Sequence, residues 1–443
     1  MADVSLHGQS AYSDWAVQAG GPANEDTTLL LANARPEFKP NSMFTWLVGL
    51  LQVLILIGFA LMGVSSESKP SAASPLEQVQ LYNFYVGVAL MMLVGFGYLM
   101  TFLRWYGLGA VGLTLIITAL GVELAVLIEP IFANGFAPDA PVTVDLLALL
   151  HGNFAVAAIL ISFGGLIGKI NPQQLVILVL FEVICYSFNK QIVLTKWLNI
   201  KDCGGTIIIH MFGAYYGLAA SYVLGKPKNS EKEKPSTLSD ITSLIGTTFL
   251  WLYWPSFVAG DIEAGTSEAQ LALTQTVLAL LGSTVTTFVV SHRFGDSKFR
   301  PVDIQNATLA GGVAIGAVAN LPITPAGAIA IGSLAGLIST LGFAKFQSLL
   351  FQHLSLHDSC GIHNLHGMPS ILGGLASVFC AAYLKNPRCD SPGTQIAGVG
   401  MTLVVAILTG AITGGVMKTV QDGAPMADDS NYWETADDFG KEV

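Results

Sequence analysis

Twelve long apolar stretches, separated by short polar breaks, run through this chain from about residue 44 to 417. They cover 44–64, 82–103, 107–128, 144–168, 173–196, 204–224, 241–258, 271–291, 303–320, 326–344, 365–384 and 394–417. Each is close to the roughly 20 residues a helix needs to cross a bilayer core. Backbone polar groups in lipid must pair within the segment, so stretches of this length predict helices, not open strands. The breaks are chemically sharp, as at Ser65-Ser66-Glu67-Ser68-Lys69-Pro70, Lys169-Ile170-Asn171-Pro172 and the run from Lys226 to Asp240. The expected fold is an all-α polytopic membrane protein of about twelve transmembrane helices. Residues 1–43 form a polar N-terminal segment, 44–418 the membrane domain and 419–443 an acidic tail.

Composition agrees and adds orientation. Of 443 residues, 52% are apolar and only 11% charged, against about 25% charged in soluble domains. The net charge of -10 says little about partners, because much of it lies at the ends, and no nucleic-acid partner is implied. The tail from Asp428-Asp429 to Asp437-Asp438 reads as solvated and mobile, with a docking segment as the lesser alternative. No short apolar stretch before a small-residue cleavage site is found near the start, so a cleaved signal peptide is not expected. With the N-terminus inside, 14 of the 20 lysines and arginines fall on the cytoplasmic side, leaving Lys69, Lys190, Lys196, Lys201, Lys385 and Arg388 outside. That bias predicts two cytoplasmic termini, as the even span count requires.

One spacing occurs twice at the starts of spans: Asp202 leads to His210, and Asp358 to His366, each across seven residues. Eight helical residues rise about 12 Å, so an Asp near a membrane surface places its His near the midplane. Ionisable groups at that depth are costly and mark pathways. Five spans separate the two copies, so they point in opposite directions, as in inverted repeats whose site lies between the halves. The repeats are read as about 82–224 and 241–384, with spans one and twelve peripheral. Two neutral imidazoles meeting there bond ring to ring, one donating and one accepting. The plainer reading is two unrelated core histidines. Asp202 and Asp358 suit helix N-termini as backbone acceptors, with a secondary electrostatic role for Asp202 near an outer vestibule.

Other signals are weaker. His363 and His366 share a helical face near Cys360, but no further cluster completes four ligands, and no metal or cofactor is expected. The five cysteines show no metal-type spacing; Cys203 and Cys389 fall in outer loops, and free thiols are favoured over a bridge. Many of the 47 glycines lie inside spans, as at Gly95-Phe96-Gly97 and Gly373-Gly374; this is close helix packing, not a phosphate loop. The sequon Asn306-Ala307-Thr308 lies inside span nine, out of reach of glycosylation. No nucleophile-base constellation points to an enzyme.

The segments DCGGTIIIHMFGAYYGL (202–218), VGFGYLMTFLRWYG (94–107), WLYWPSF (251–257), DIQNATLAGGVAIG (303–316) and DSCGIHNLHGMPSILGG (358–374) resemble the Rh branch of the ammonium transporter superfamily. The resemblance covers about 44–418. It implies a homotrimer in the plasma membrane with one central pore per subunit, eleven pore-domain helices and one extra N-terminal span. It puts the family's pore histidines on His210 and His366, its two stacked gate phenylalanines on Phe154 and Phe257, and its pore-associated aspartate on Asp202. It implies a substrate, ammonium or ammonia, and a mechanism in which ammonium loses its proton at the vestibule and ammonia crosses an apolar lumen. Two positions depart from the family pattern: Lys190 stands where relatives often carry an acid, and Val258 follows the gate phenylalanine where asparagine is frequent, so weaker recruitment of cations is expected. Glu182, mid-span in helix five, matches an acid or amide in relatives and reads as a hydrogen-bonding group of the bundle interior. The alternatives are a channel for carbon dioxide or another neutral gas, and a non-conducting scaffold or sensor.

Overall fold

A computed structural model describes residues 43–65, 75–135, 141–226, 234–384, 386, 388–389, 391–420 and 428–434. The N-terminal segment, the break at 66–70 and Asp437-Asp438 lie outside these. Among the described residues the chain forms twelve membrane-length helical segments. They are α1 (Met43–Met62), α2 (Val79–Phe102), α3 (Arg104–Ala133), α4 (Leu146–Leu166), α5 (Pro172–Trp197), α6 (Thr206–Leu224), α7 (Thr237–Ala259), α8 (Ser267–Phe294), α9 (301–318), α10 (Pro325–Leu354), α11 (His363–Tyr383) and α12 (Pro392–Thr419). Ten are apolar enough throughout to cross a bilayer by composition alone. The other two are α7, diluted by serines and threonines, and α9, broken by tight turns at Ala307–Leu309 and Gly316–Val318. A short parallel pair, β1 (Gly63–Ser65) and β2 (Val142–Val144), ties α1 to the strand before α4.

Local chemistry sets where helices begin. Asn171 and Gln174 form a capping box at α5, and Ser236 and Ser239 do the same at α7. Proline follows the cap at α5, α10 and α12, where its fixed φ suits the first turn and its missing N–H costs nothing. The outer faces are apolar and bare: Leu61 is 80% exposed and Ile412 62%. Patches of that extent on a soluble monomer are rare; here they face lipid. This is an integral, multi-pass membrane protein.

The two halves repeat each other in detail. Asn153 in α4 and Asn306 in α9 each donate Nδ2–H to the carbonyl four residues back, at 2.9 Å. α5 and α10 each slip into a π-helical turn, at Asn189–Trp197 and Gly342–Phe346. α6 and α11 each begin with one, at Thr206–Met211 and His363–Gly367. The segment Tyr98-x-x-Thr101-Phe102 at the end of α2 matches Tyr253-x-x-Ser256-Phe257 at the end of α7. α2 and α7 cross in contact; a Cβ at Gly246 would lie 2.2 Å from the Leu99 nitrogen, so only glycine permits this approach.

The tail differs from the expectation. Asp428 and Asp429 are buried, not solvated. The Asp429 carboxylate accepts from the free amides of Leu108 (2.7 Å) and Gly109 (2.8 Å) in the first turn of the α-helical part of α3. The Trp433 ring fills the slot left by Gly112. The amides needed an acceptor, and a run of aspartates near a tryptophan supplies a plug as readily as a solvated tail. Burial pushes the Asp429 carboxyl up to about 6 from its ordinary 3.8, against the pull of the two amide hydrogen bonds. The docked segment therefore holds a proton that the undocked one releases, and docking tightens as pH falls through that window. Amide exchange of 428–434, corrected for intrinsic rate, is expected to slow from about pH 7 to about pH 4 in wild type and to lose that dependence in Asp429→Asn.

Candidate functional site

The site is built from the paired starts of α6 and α11. Asp202 accepts from the backbone N–H of Ile207 (2.7 Å) and Ile208 (2.8 Å). Asp358 accepts from Gly361, Ile362 and His363, each at 2.9 Å. Three residues after each Asp stands a glycine in the left-handed region, Gly205 at φ 70° and Gly361 at φ 77°, a conformation that costs other residues about 1–2 kcal/mol. The π turn follows at once. The shared unit is thus Asp-x2-Gly-x4-His, and the π turn re-aims the last residue; single π turns recur at functional sites for this reason.

Those units bring His210 and His366 together. Their Nδ1 atoms are 3.2 Å apart, with ring centroids at 5.2 Å and planes within 15°. One Nδ1 carries the hydrogen and the other accepts it. Both side chains are buried. The Nε2 of His210 has no hydrogen-bond partner among the described residues. Aromatic rings continue the file in both directions. Phe257 lies 5.6 Å from His210, and Phe154 5.1 Å from Phe257, edge to face at 79° and not stacked as the resemblance implied. Trp254 backs His210 at 5.5 Å. On the other side Phe96 covers His366 at 6.0 Å. Beneath His366 is an apolar cavity of about 20 Å³ lined by Leu99, Leu160, Ile161 and Phe102 among others. That volume holds one molecule the size of water. Phe102 also lines a wide mouth of about 730 Å³, with Lys298, Arg300, Asp240 and His357 on its wall.

The remaining residues fall around this file. Glu182 is fully buried with Oε1 2.6 Å from Ser162 Oγ, and the same hydroxyl lies 2.8 Å from Gly213 O; the contact joins α4, α5 and α6. Lys190 pairs with Glu129 at 2.8 Å, so its charge is neutralised locally and does not stand alone in the vestibule. Val258 is buried against Gly204. All five cysteines are free thiols, and Cys203 donates to Gly316 O. Asn306 of the sequon is buried. No group of three His, Cys, Asp or Glu side chains converges among the described residues.

A model of the Ammonium Transporter Family matches residues 43–422. This chain belongs to that family. It is 36% identical over 393 residues to Ammonium transporter Rh type C of Xenopus laevis, covering 82% of each chain. It is 36% identical over 402 residues to Ammonium transporter Rh type A of Bos taurus, covering 87% of this chain and 93% of the relative. Among solved structures, one described as "Nitrosomonas europaea Rh50 and mechanism of conduction by Rhesus protein family of channels" is 34% identical, with a TM-score of 0.73 over 84% of this chain and 96% of that one. These relatives place it in the Rh branch. A structure described as "Sensor Amt Protein", 19% identical with a TM-score of 0.68, shares the fold.

Several residues around the file of this Rh-branch transporter escaped sequence reasoning. Trp254 and Phe96, which cover the two imidazoles, look like ordinary apolar positions of a span. Phe102 was detectable through the Tyr-x-x-Thr/Ser-Phe echo of Phe257. His151 and Asp261, bonded at 2.7 Å beside Phe154, are 110 positions apart, and neither forms a motif.

Proposed function

We propose that this chain conducts ammonia, drawn from ammonium, along the ring file from Phe154 to His366. The observation that carries the reading is the buried Nδ1–Nδ1 contact of 3.2 Å between His210 and His366, at the centre of an otherwise apolar path. Bringing a bare cation into such a path costs on the order of tens of kcal/mol in the Born limit. A neutral amine pays only the loss of its hydrogen bonds, about 1–3 kcal/mol each, and the histidine nitrogens return some of these. Ammonia both donates and accepts, so it bonds the free Nε2 of His210 in either tautomer. Potassium cannot shed charge and stays outside. Ammonium gives up its proton before the Phe154–Phe257 pair; ammonia passes the histidines and is reprotonated in the wide mouth beyond Phe102.

In this reading Asp202 and Asp358 hold the two turns that aim the histidines. Glu182 is an interior hydrogen-bonding group. The assembly is a homotrimer of independent pores in the plasma membrane, with both termini cytoplasmic, as the lysine and arginine bias suggests. In proteoliposomes, wild type is expected to speed ammonia-driven internal alkalinisation well above protein-free vesicles, and His210→Ala to lose most of that gain. Wild-type rates equal to those of empty vesicles would remove the transport reading; carbon dioxide flux in the same vesicles checks for a gas channel of broader scope.

A further inference from the structure

Transport of a neutral amine drawn from its cation leaves a proton to be received at the entrance, and the gate phenylalanines and paired histidines provide no water-exposed acceptor there. Asp358 uses both oxygens on backbone amides, Asp202 uses Oδ2 on two and its Oδ1 is buried out of reach of water, and Lys190 is a cation paired with Glu129. One pair remains. His151 lies one helical turn before Phe154 on α4, and Asp261 lies four residues after Phe257, just past the end of α7. The two gate phenylalanines therefore each carry one member of the pair about a turn beyond them.

The geometry supports proton transfer. His151 Nε2 is 2.7 Å from Asp261 Oδ1, and the side chains are 29% and 54% exposed, so the pair is wet on one side and seated on the gate on the other. The His151 ring lies 6.1 Å from that of Phe154. A Cβ on Gly260, next to Asp261, would lie 3.1 Å from the tip of Phe154. With Nε2–H donating to the carboxylate, Nδ1 presents a lone pair, and it has no partner among the described residues. The carboxylate fixes that tautomer and stabilises the imidazolium, the role a carboxylate plays behind any histidine base.

We propose that the His151–Asp261 pair is the proton acceptor for ammonium at the outer mouth. This rests on the conduction reading above. The N–H bond of ammonium breaks, its electron pair stays on nitrogen, and the proton bonds to His151 Nδ1. The resulting imidazolium later yields it to bulk water, and ammonia moves on between Phe154 and Phe257. Besides His151, the charge felt by Asp261 is that of Lys190 on α5, itself paired with Glu129 of α3. Burial works against the Asp261 carboxylate, but the hydrogen bond and charge of His151, with Lys190, hold it below the usual carboxylate range.

The test compares wild type, His151→Gln and Asp261→Asn in proteoliposomes, reading ammonium-driven internal pH change at acidic, neutral and alkaline external pH. Gln keeps a donor for Asp261 but accepts no proton at a lone pair. At neutral external pH an imidazole of ordinary pKa (about 6.5) still offers a lone pair, and ammonium far outnumbers ammonia. There both variants are expected to fall on the order of tenfold, a modest general-base effect because bulk water can partly substitute. At acidic external pH, where an imidazole is already protonated, the gap narrows. At alkaline external pH, where the free base is already abundant, all three curves converge. Curves that stay parallel to wild type, or variants that match it throughout, overturn the pair as acceptor while leaving conduction intact. Wild-type flux no faster than in empty vesicles overturns both.

Discussion

Asp358→Ala is expected to destabilise the folded protein by about 3–5 kcal/mol and to abolish ammonia flux. The carboxylate accepts three backbone amides, those of Gly361, Ile362 and His363, in a site with 7% exposure. A buried donor left unpaired costs about 1–3 kcal/mol, and water from the neighbouring wide mouth recovers part of it. Asp358→Asn keeps one acceptor oxygen but turns an amide N–H toward at least one of those donors, so about 1–2 kcal/mol is expected. Asp202→Ala removes two such bonds and falls between the two. Thermal unfolding in detergent reads this order. A loss for Asp358→Ala no larger than for an exposed lipid-facing position contradicts the assignment of the turn to Asp358. The effect reaches the pore because the same turn aims His366.

His366→Ala is expected to lower ammonia flux by about tenfold to a hundredfold while the protein stays folded. The change strips His210 Nδ1 of its only partner among the described residues and leaves that ring with neither nitrogen bonded to them. Ammonia crossing the gap then loses a hydrogen-bonding stop worth about 1–3 kcal/mol, and each 1.36 kcal/mol is tenfold in rate. His366→Gln can still reach the opposing nitrogen with its amide and is expected to recover part of the flux. Comparable rates for the alanine and glutamine variants would argue that the ring matters as bulk alone. Initial rates of vesicle alkalinisation, normalised to reconstituted protein, provide the readout.

The two aspartate-histidine units were the most legible part of the molecule. Their spacing fixed the pairing of His210 with His366, and their separation by five spans fixed the inversion. The rest of each unit was half visible: Gly205 and Gly361 stand at matched places, but a π turn leaves no mark on hydrophobic periodicity. Hydropathy also marked the twelve helical segments of the described residues, although only ten are apolar enough throughout to cross a bilayer by composition and α9 is a broken helix rich in small residues. Phe154 and Phe257 carried no signal of their own, because an aromatic inside a span fits lipid, core or lumen equally well. Their assignment came from resemblance, and the edge-to-face arrangement is set by the packing of α4 against α7.

What the sequence hid was long-range polar pairing. His151 and Asp261 are each bland in isolation and meet only because α4 begins and α7 ends at the same mouth. Lys190 looked like a departure that would repel cations, yet Glu129, 61 positions away, takes up its charge. The aspartates of the tail looked solvated because nothing local reveals the unsatisfied amides of Leu108 and Gly109. In each case the deciding partner lies more than sixty residues away, beyond the reach of spacing arguments.

The central claim is that only an uncharged molecule passes the paired imidazoles. The measurement that bears on it most directly is ammonia-driven alkalinisation and potassium flux recorded in the same proteoliposomes. Fast alkalinisation with potassium permeability no greater than in protein-free vesicles is the predicted result for wild type. Potassium crossing at a rate comparable to ammonia, or no alkalinisation beyond the lipid background, contradicts it.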